Sequence, residues 1–262
     1  MPDAVLLETL LGAIRARLGE RPLVIGISGA QGSGKTTLVA ALARALEGEG
    51  IATAALSLDD LYLTRAERLD LAHSVHPLFV TRGVPGTHDL ALGLAVLDAL
   101  ARGEPVPLPR FDKGADDRVP AEGWPLAPAG TRVVLLEGWC LGARAQDPAA
   151  LADPINTLEA DEDPAGVWRS YANSALAGAY QDLWARVDFT VLLAAPGWEV
   201  VAAWREQQEA ELRATGAARA MDAAAVQRFI QHYERLTRWI LAEMPLRADL
   251  VVRLGPDREV LA

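Results

Sequence analysis

The stretch ISGAQGSGKTTLVAAL, residues 27–42, limits what this chain can become more than any other segment. It closes an apolar run, turns through glycines and opens a helical pattern. Within it GAQGSGKT, residues 29–36, satisfies G-x-x-x-x-G-K-[ST] in full, between a strand and a helix as that pattern requires. Gly29 and Gly34 are expected in backbone angles that other residues resist, and Gly32 leaves room for an anion. The amides of Gly29, Ala30, Gln31, Gly32, Ser33 and Gly34 would line the loop, with Lys35, Thr36 and Thr37 opening a helix whose positive end faces the same anion. Lys35 is expected to reach the β- and γ-phosphates and the Thr36 hydroxyl to ligate Mg²⁺. The loop implies a bound nucleoside triphosphate. It leaves hydrolysis, switching and phosphoryl transfer open.

The rest of the chain alternates strand and helix patterns. Strands are expected at 22–28, 51–58, 131–138, 188–195 and 248–255. Helices are expected at 3–18, from Gly34 to Leu46, at 65–73, at 89–100 capped by Asp89, at 163–186 capped by Asp163, and at 197–214 and 222–243. This order predicts an α/β fold with a five-stranded parallel sheet flanked by helices, in a single domain over 1–262. Two segments interrupt the alternation: residues 60–130, rich in Pro and Gly, and the acidic 145–166. Long irregular segments in compact domains are often functional loops.

Charge narrows the partners. The formal net charge is −10, against nonspecific nucleic-acid binding. Of 25 basic residues only Lys35 and Lys113 are lysines, and Lys35 falls where a slim point charge fits and a guanidinium fork does not. No apolar run is long enough to span a membrane, so no membrane partner is expected. The N-terminal segment lacks a basic flank and does not read as a signal peptide. The one cysteine, Cys140, fits a reducing, cytoplasmic setting.

A guanine switch would carry N-K-x-D, which is absent, and a nucleic-acid motor would want basic channels. A small-molecule kinase needs a base, carboxylates near Mg²⁺, cations for the acceptor and a cationic lid, and each has a candidate. LSLDDLYL ends the second strand, where open α/β sheets bind ligands. Asp59 is expected to take the acceptor hydroxyl's proton and lie near the metal, with Asp60 and Tyr62 beside it against substrate; either Asp is alternatively a helix cap. Glu137 ends the third strand in VVLLEGW and reads as the acid that holds Mg²⁺ through water. Arg205 and Arg213 either close over the phosphates or form, with Glu209, a solvent-facing ladder.

GAQGSGKTT, LSLDDLYL, PLPRFDKGADDR and VVLLEGW resemble the phosphoribulokinase, uridine kinase and pantothenate kinase superfamily of P-loop kinases. Within it, RGVPGTHDLALG followed by LPRFDKGADDR is most similar to the D-glycerate 3-kinase group. The resemblance runs from about residue 22 to 243. It implies ATP and Mg²⁺ as cofactors, Asp59 as the catalytic aspartate, Glu137 as the second acidic motif, a lid at 197–220 and an acceptor-binding insertion at 60–130. Glycerate is a small anion with two hydroxyls. Arg82, Thr87, His88, Arg110, Lys113 and Arg118 are expected to contact it, with Asp112, Asp116 and Asp117 orienting the cations and Asn173 as a further contact. The expected activity is conversion of D-glycerate to 3-phosphoglycerate. The alternatives are a kinase for a nucleoside, pantothenate or a sugar phosphate, or a nucleotide switch that transfers nothing.

Overall fold

In this computed structural model, residues 3–214 and 221–261 are described. Seven consecutive residues of β1 (Leu23–Gly29) are buried, the signature of a strand covered on both faces. In chain order the elements are α1 (Ala4–Arg15), β1, α2 (Lys35–Gly48), β2 (Thr53–Ser57), α3 (Arg65–Ser74), α4 (Leu90–Ala101), β3 (Phe111–Asp112) and β4 (Asp117–Arg118). There follow β5 (Val133–Gly138), α5 (Thr157–Glu162), α6 (Val167–Ala177), α7 (Ala179–Trp184), β6 (Phe189–Ala194), α8 (Trp198–Ala214), α9 (Ala223–Glu243) and β7 (Leu250–Arg253). The main sheet runs β2-β5-β1-β6-β7, and every pairing is parallel. The expected five-stranded α/β sheet is therefore present, each strand within two residues of its expected bounds at either end.

Alternation along the strands sorts side chains into two cores. Leu23, Ile25 and Ile27 of β1 join Leu10 and Ile14 of α1, Leu42 and Leu46 of α2 and Val201 of α8. Val24 joins Val134, Leu136 and Leu192 against Val96, Leu97 and Leu100 of α4 and Leu183 of α7. Each such side chain contributes roughly 1.5–3 kcal/mol on burial. A third cluster, Phe79, Leu78, Val84, Leu158 and Trp168, seats the loop before α4.

Three expectations are corrected. The acidic segment is not all loop, since it contains α5. The helix expected over 163–186 divides at Gly178 into α6 and α7 and begins at Val167. Asp163 still acts as a cap, but from further upstream: its carboxylate accepts from Trp168 N at 2.9 Å and Arg169 N at 3.2 Å. Gly166, at φ 70°, takes the turn between them. Finally, the insertion carries the small hairpin β3–β4, too short to show as a periodic pattern.

Candidate active site

Topology assembles the site. β5 lies between β1 and β2, so Glu137 is in register with Ile27 on one side and Ser57 on the other. Glu137 thus stands between the glycine loop and the tip of β2. It is 7% exposed, and its Oε1 accepts from Thr36 Oγ1 and from Ser57 Oγ, both at 3.1 Å. Ser57, which the sequence reading passed over, also accepts from Asp59 N at 3.2 Å and starts the one-turn helix that carries Asp59.

In the loop, Gly32 (φ 80°) and Gly34 (φ 89°) occupy the left-handed region. Gly29 does not, contrary to expectation. It needs space instead: a Cβ there would lie 2.7 Å from Ser33 Oγ and 3.0 Å from Leu193 Cβ. Gly32 has a second constraint, because a Cβ would lie 2.8 Å from Trp204 Cβ on α8. No side chain caps α2 at Gly34, so no side-chain acceptor meets the amides at the positive end of that helix. Lys35 Nζ folds back onto Ala30 O at 3.1 Å. Burial lowers the Lys35 pKa, and the Glu137 and Asp59 carboxylates offset part of that effect.

The adjacent carboxylates Asp59 and Asp60 part company. Asp59 Oδ1 accepts from Tyr62 OH at 2.6 Å and Oδ2 from Lys113 Nζ at 2.6 Å. Burial pushes its pKa up, but Lys113, Tyr62 and Lys35 together hold it below the usual carboxylate value. Asp60 faces the other way: Oδ1 accepts from Phe111 N at 3.1 Å and Oδ2 pairs with Arg110 at 3.4 Å. Burial raises the Asp60 pKa. Asp60 and Arg110 thus anchor the hairpin rather than line the cleft, which corrects their expected contact with substrate.

A cleft of about 210 Å³ opens between these elements, bringing together Gln31, Gly32, Lys35, Thr36, Asp59, Tyr62, Arg82, Lys113, Glu137 and Arg205. Trp139, Gln208, Phe229 and Tyr233 complete it. Trp139 closes the VVLLEGW motif, whereas Gln208, Phe229 and Tyr233 were not singled out in the sequence. Tyr233 OH donates to Arg82 O at 2.8 Å and Trp139 Nε1 to Gly83 O at 2.7 Å, so both hold the loop that presents Arg82. Arg82 pairs with Asp116, which the buried Arg68 also grips at 3.0 Å. Asp112 and Asp117 instead accept from backbone amides of their own hairpin. Arg205 pairs with Glu209 and lies 5.3 Å above the Phe229 ring. Glu209 is 3% exposed, so the pair is no solvent-facing ladder.

Other expected contacts lie away from the cleft. Thr87 Oγ1 closes its own turn, to Val84 O at 2.7 Å and Gly83 N at 2.9 Å. His88 Nδ1 meets Tyr180 OH at 2.6 Å, deep beneath Tyr62. Arg118 clamps Tyr62 O at 2.9 Å and Asp89 at 3.0 Å. Asn173 exchanges two hydrogen bonds with the Gln146 backbone, at 2.7 and 3.0 Å. Arg213 is exposed and donates to Met221 O. Part of the expected lid, residues 215–220, lies outside the described residues.

Fold and loop together define a P-loop phosphotransferase. The profile of the Phosphoribulokinase / Uridine kinase family matches residues 24–153. The chain is 37% identical over 227 residues to an uncharacterized kinase of Schizosaccharomyces pombe, covering 81% of this chain and 79% of that one. It is 32% identical over 251 residues to the chloroplastic D-glycerate 3-kinase of Arabidopsis thaliana, covering 90% of this chain and 51% of the plant protein. Among solved structures, a D-glycerate 3-kinase from Cryptococcus neoformans superposes with a TM-score of 0.77 at 26% identity, covering 98% of this chain and 95% of that one. The chain belongs to the phosphoribulokinase and uridine kinase family and is an ATP-dependent small-molecule kinase.

Proposed function

We propose that the chain transfers the γ-phosphoryl group of ATP to a hydroxyl of D-glycerate, giving 3-phosphoglycerate. One arrangement carries the reading: Asp59 opens onto the same cleft as the glycine loop, with Arg82 and Lys113 beside it. Two relatives named as D-glycerate 3-kinases, each covering nine-tenths or more of this chain, support that acceptor.

Phosphoryl transfer depends on positioning and charge stabilisation. The loop amides and Lys35 hold the triphosphate of ATP. Thr36, Glu137 and Asp59 offer oxygen donors only, which suits a hard cation that retains several waters. Mg²⁺ bound there would neutralise charge on the phosphate oxygens. Arg82, steadied by Asp116 and Arg68, takes the acceptor's carboxylate in two-point contact. Tyr62 OH holds Asp59 Oδ1, so Oδ2, which pairs with Lys113 in this structure, is the oxygen that receives the acceptor's proton. Arg205 closes over the transferring group from α8, within the lid segment 197–220.

The test is ADP release by purified protein with D-glycerate, L-glycerate, uridine, pantothenate and ribulose 5-phosphate in turn, with the product's phosphate position read by ³¹P NMR. D-Glycerate is expected to give the highest kcat/KM. Turnover with another alcohol and none with glycerate overturns the acceptor assignment. ADP release that no acceptor raises overturns the transferase reading.

A further inference from the structure

Lys113 is one of two lysines in a chain that otherwise uses arginine. It begins the turn that joins β3 to β4. The base of that hairpin is tied firmly: Phe111 N to Asp60 at 3.1 Å, and Arg118 to Tyr62 O and Asp89. Arg68, 1% exposed, binds both the carbonyl and the carboxylate of Asp116. The Lys113 side chain, at the start of the turn, is held differently. It reaches across the cleft mouth to Asp59 Oδ2 at 2.6 Å and is 60% exposed. An exposed ammonium on a flexible stem is easily re-aimed, whereas a guanidinium fork would lock onto both oxygens. Arg82, by contrast, is clamped and a quarter exposed. Of the cations beside Asp59, Arg82 is therefore preset and Lys113 free to be re-aimed, and Lys113 sits on the carboxylate that must act.

We propose that Lys113 determines acceptor specificity by masking Asp59 until an anionic acceptor draws it away. The inference rests on the kinase reading above. In the cleft without acceptor, Lys113 neutralises Asp59, so a water molecule there is not activated and ATP is spared. An acceptor carboxylate seated on Arg82 offers Lys113 a second anionic partner. Lys113 swings to it, and Asp59 Oδ2 is left to the acceptor's hydroxyl. The hydroxyl proton then passes to Oδ2 as the acceptor oxygen bonds to the γ-phosphorus. The bond from that phosphorus to the β-bridging oxygen breaks, and ADP leaves with that electron pair. A neutral alcohol fills the same space but gives Lys113 nowhere to go.

Wild type, Lys113→Met and Lys113→Arg are assayed for ADP release with ATP and Mg²⁺ alone, with D-glycerate, and with glycerol, which lacks the carboxylate. Circular dichroism and melting confirm that the variants fold. Lys113→Met is expected to release ADP without acceptor several-fold faster than wild type. Its KM for glycerate should rise about tenfold while its KM for ATP changes less than about twofold, and its preference for glycerate over glycerol should collapse. Lys113→Arg should keep acceptor-free release low and lose kcat with glycerate. Acceptor-free release by Lys113→Met no faster than wild type overturns the masking, as does an unchanged glycerate KM. If wild type phosphorylates a different hydroxy acid, the same comparison runs with that acid and its neutral analogue. Acceptor identity and masking thus fail separately.

Discussion

At the scale of single residues, the two aspartates at the tip of β2 show how little sequence separates chemistry from scaffolding. Asp59 lines the cleft, and Asp60 fastens the hairpin. Asp59→Asn is expected to lower kcat by about 10²–10⁴-fold, the usual contribution of a general base, while leaving ATP affinity within about twofold. Steady-state ADP release and calorimetric nucleotide titration check the two halves. Turnover near wild type would remove Asp59 from the mechanism. Lys35, Thr36, Asp59 and Glu137 were legible because each sits at a fixed offset from an apolar run. The pairings were not. Asp60 meets Phe111 51 positions later, Asp59 meets Lys113 54 positions later, and Tyr233 reaches Arg82 across 151. Nothing local in the chain encodes such meetings. The cations of RFDKGADDR and TRGVPGTHD were all visible, but only Arg82 and Lys113 line the cleft; Arg110 is taken by Asp60 and Pro109 O, and Arg118 by Tyr62 O and Asp89.

At the scale of elements, α8 carries two arginines about two turns apart and different in surroundings. Arg205 lines the cleft, whereas Arg213 is exposed and bound to Met221 O. Arg205→Ala should cost about tenfold or more in kcat/KM and Arg213→Ala less than about twofold, measured under identical saturating ATP. Equal losses would show that α8 closes much further than this geometry requires. A second case is the acidic segment before α6. Asn173 pins it through Gln146, so Asn173→Ala should lower stability by ~1–3 kcal/mol in urea melts with the glycerate KM unchanged. A raised KM at unchanged stability would return Asn173 to the acceptor site. Strands and the Asp89 cap were readable here from apolar runs and the position of one aspartate. The break at Gly178 and the helix α5 were not, because one glycine inside a helical pattern is ordinarily tolerated and a six-residue helix has too few turns to show a period.

At the scale of the whole molecule, two buried histidines set an acid limit. Burial pushes His88 and His232 down to about 4 from an ordinary 6.5. Between those values the unfolded chain takes up protons that the folded chain refuses. Stability is therefore full above about 6.5 and lost as pH falls toward 4, by ~2 kcal/mol per histidine at pH 5. Melting temperatures from pH 7 to 5 should fall, and His232→Gln should flatten that profile; an unchanged slope counts against the account. The layered α/β plan was readable from the alternation of apolar strands with helices. The strand order was not, since the insertion of β5 between β1 and β2 is a crossover choice made by packing on both faces. That crossover, with the scarcity of lysine, gives the surface an unusual reagent profile. The chain's only ε-amines, Lys35 and Lys113, open onto one cleft. Acylation by an amine-directed label, apart from the terminal amine, consequently reports on a single place, and nucleotide should shield one of its two targets.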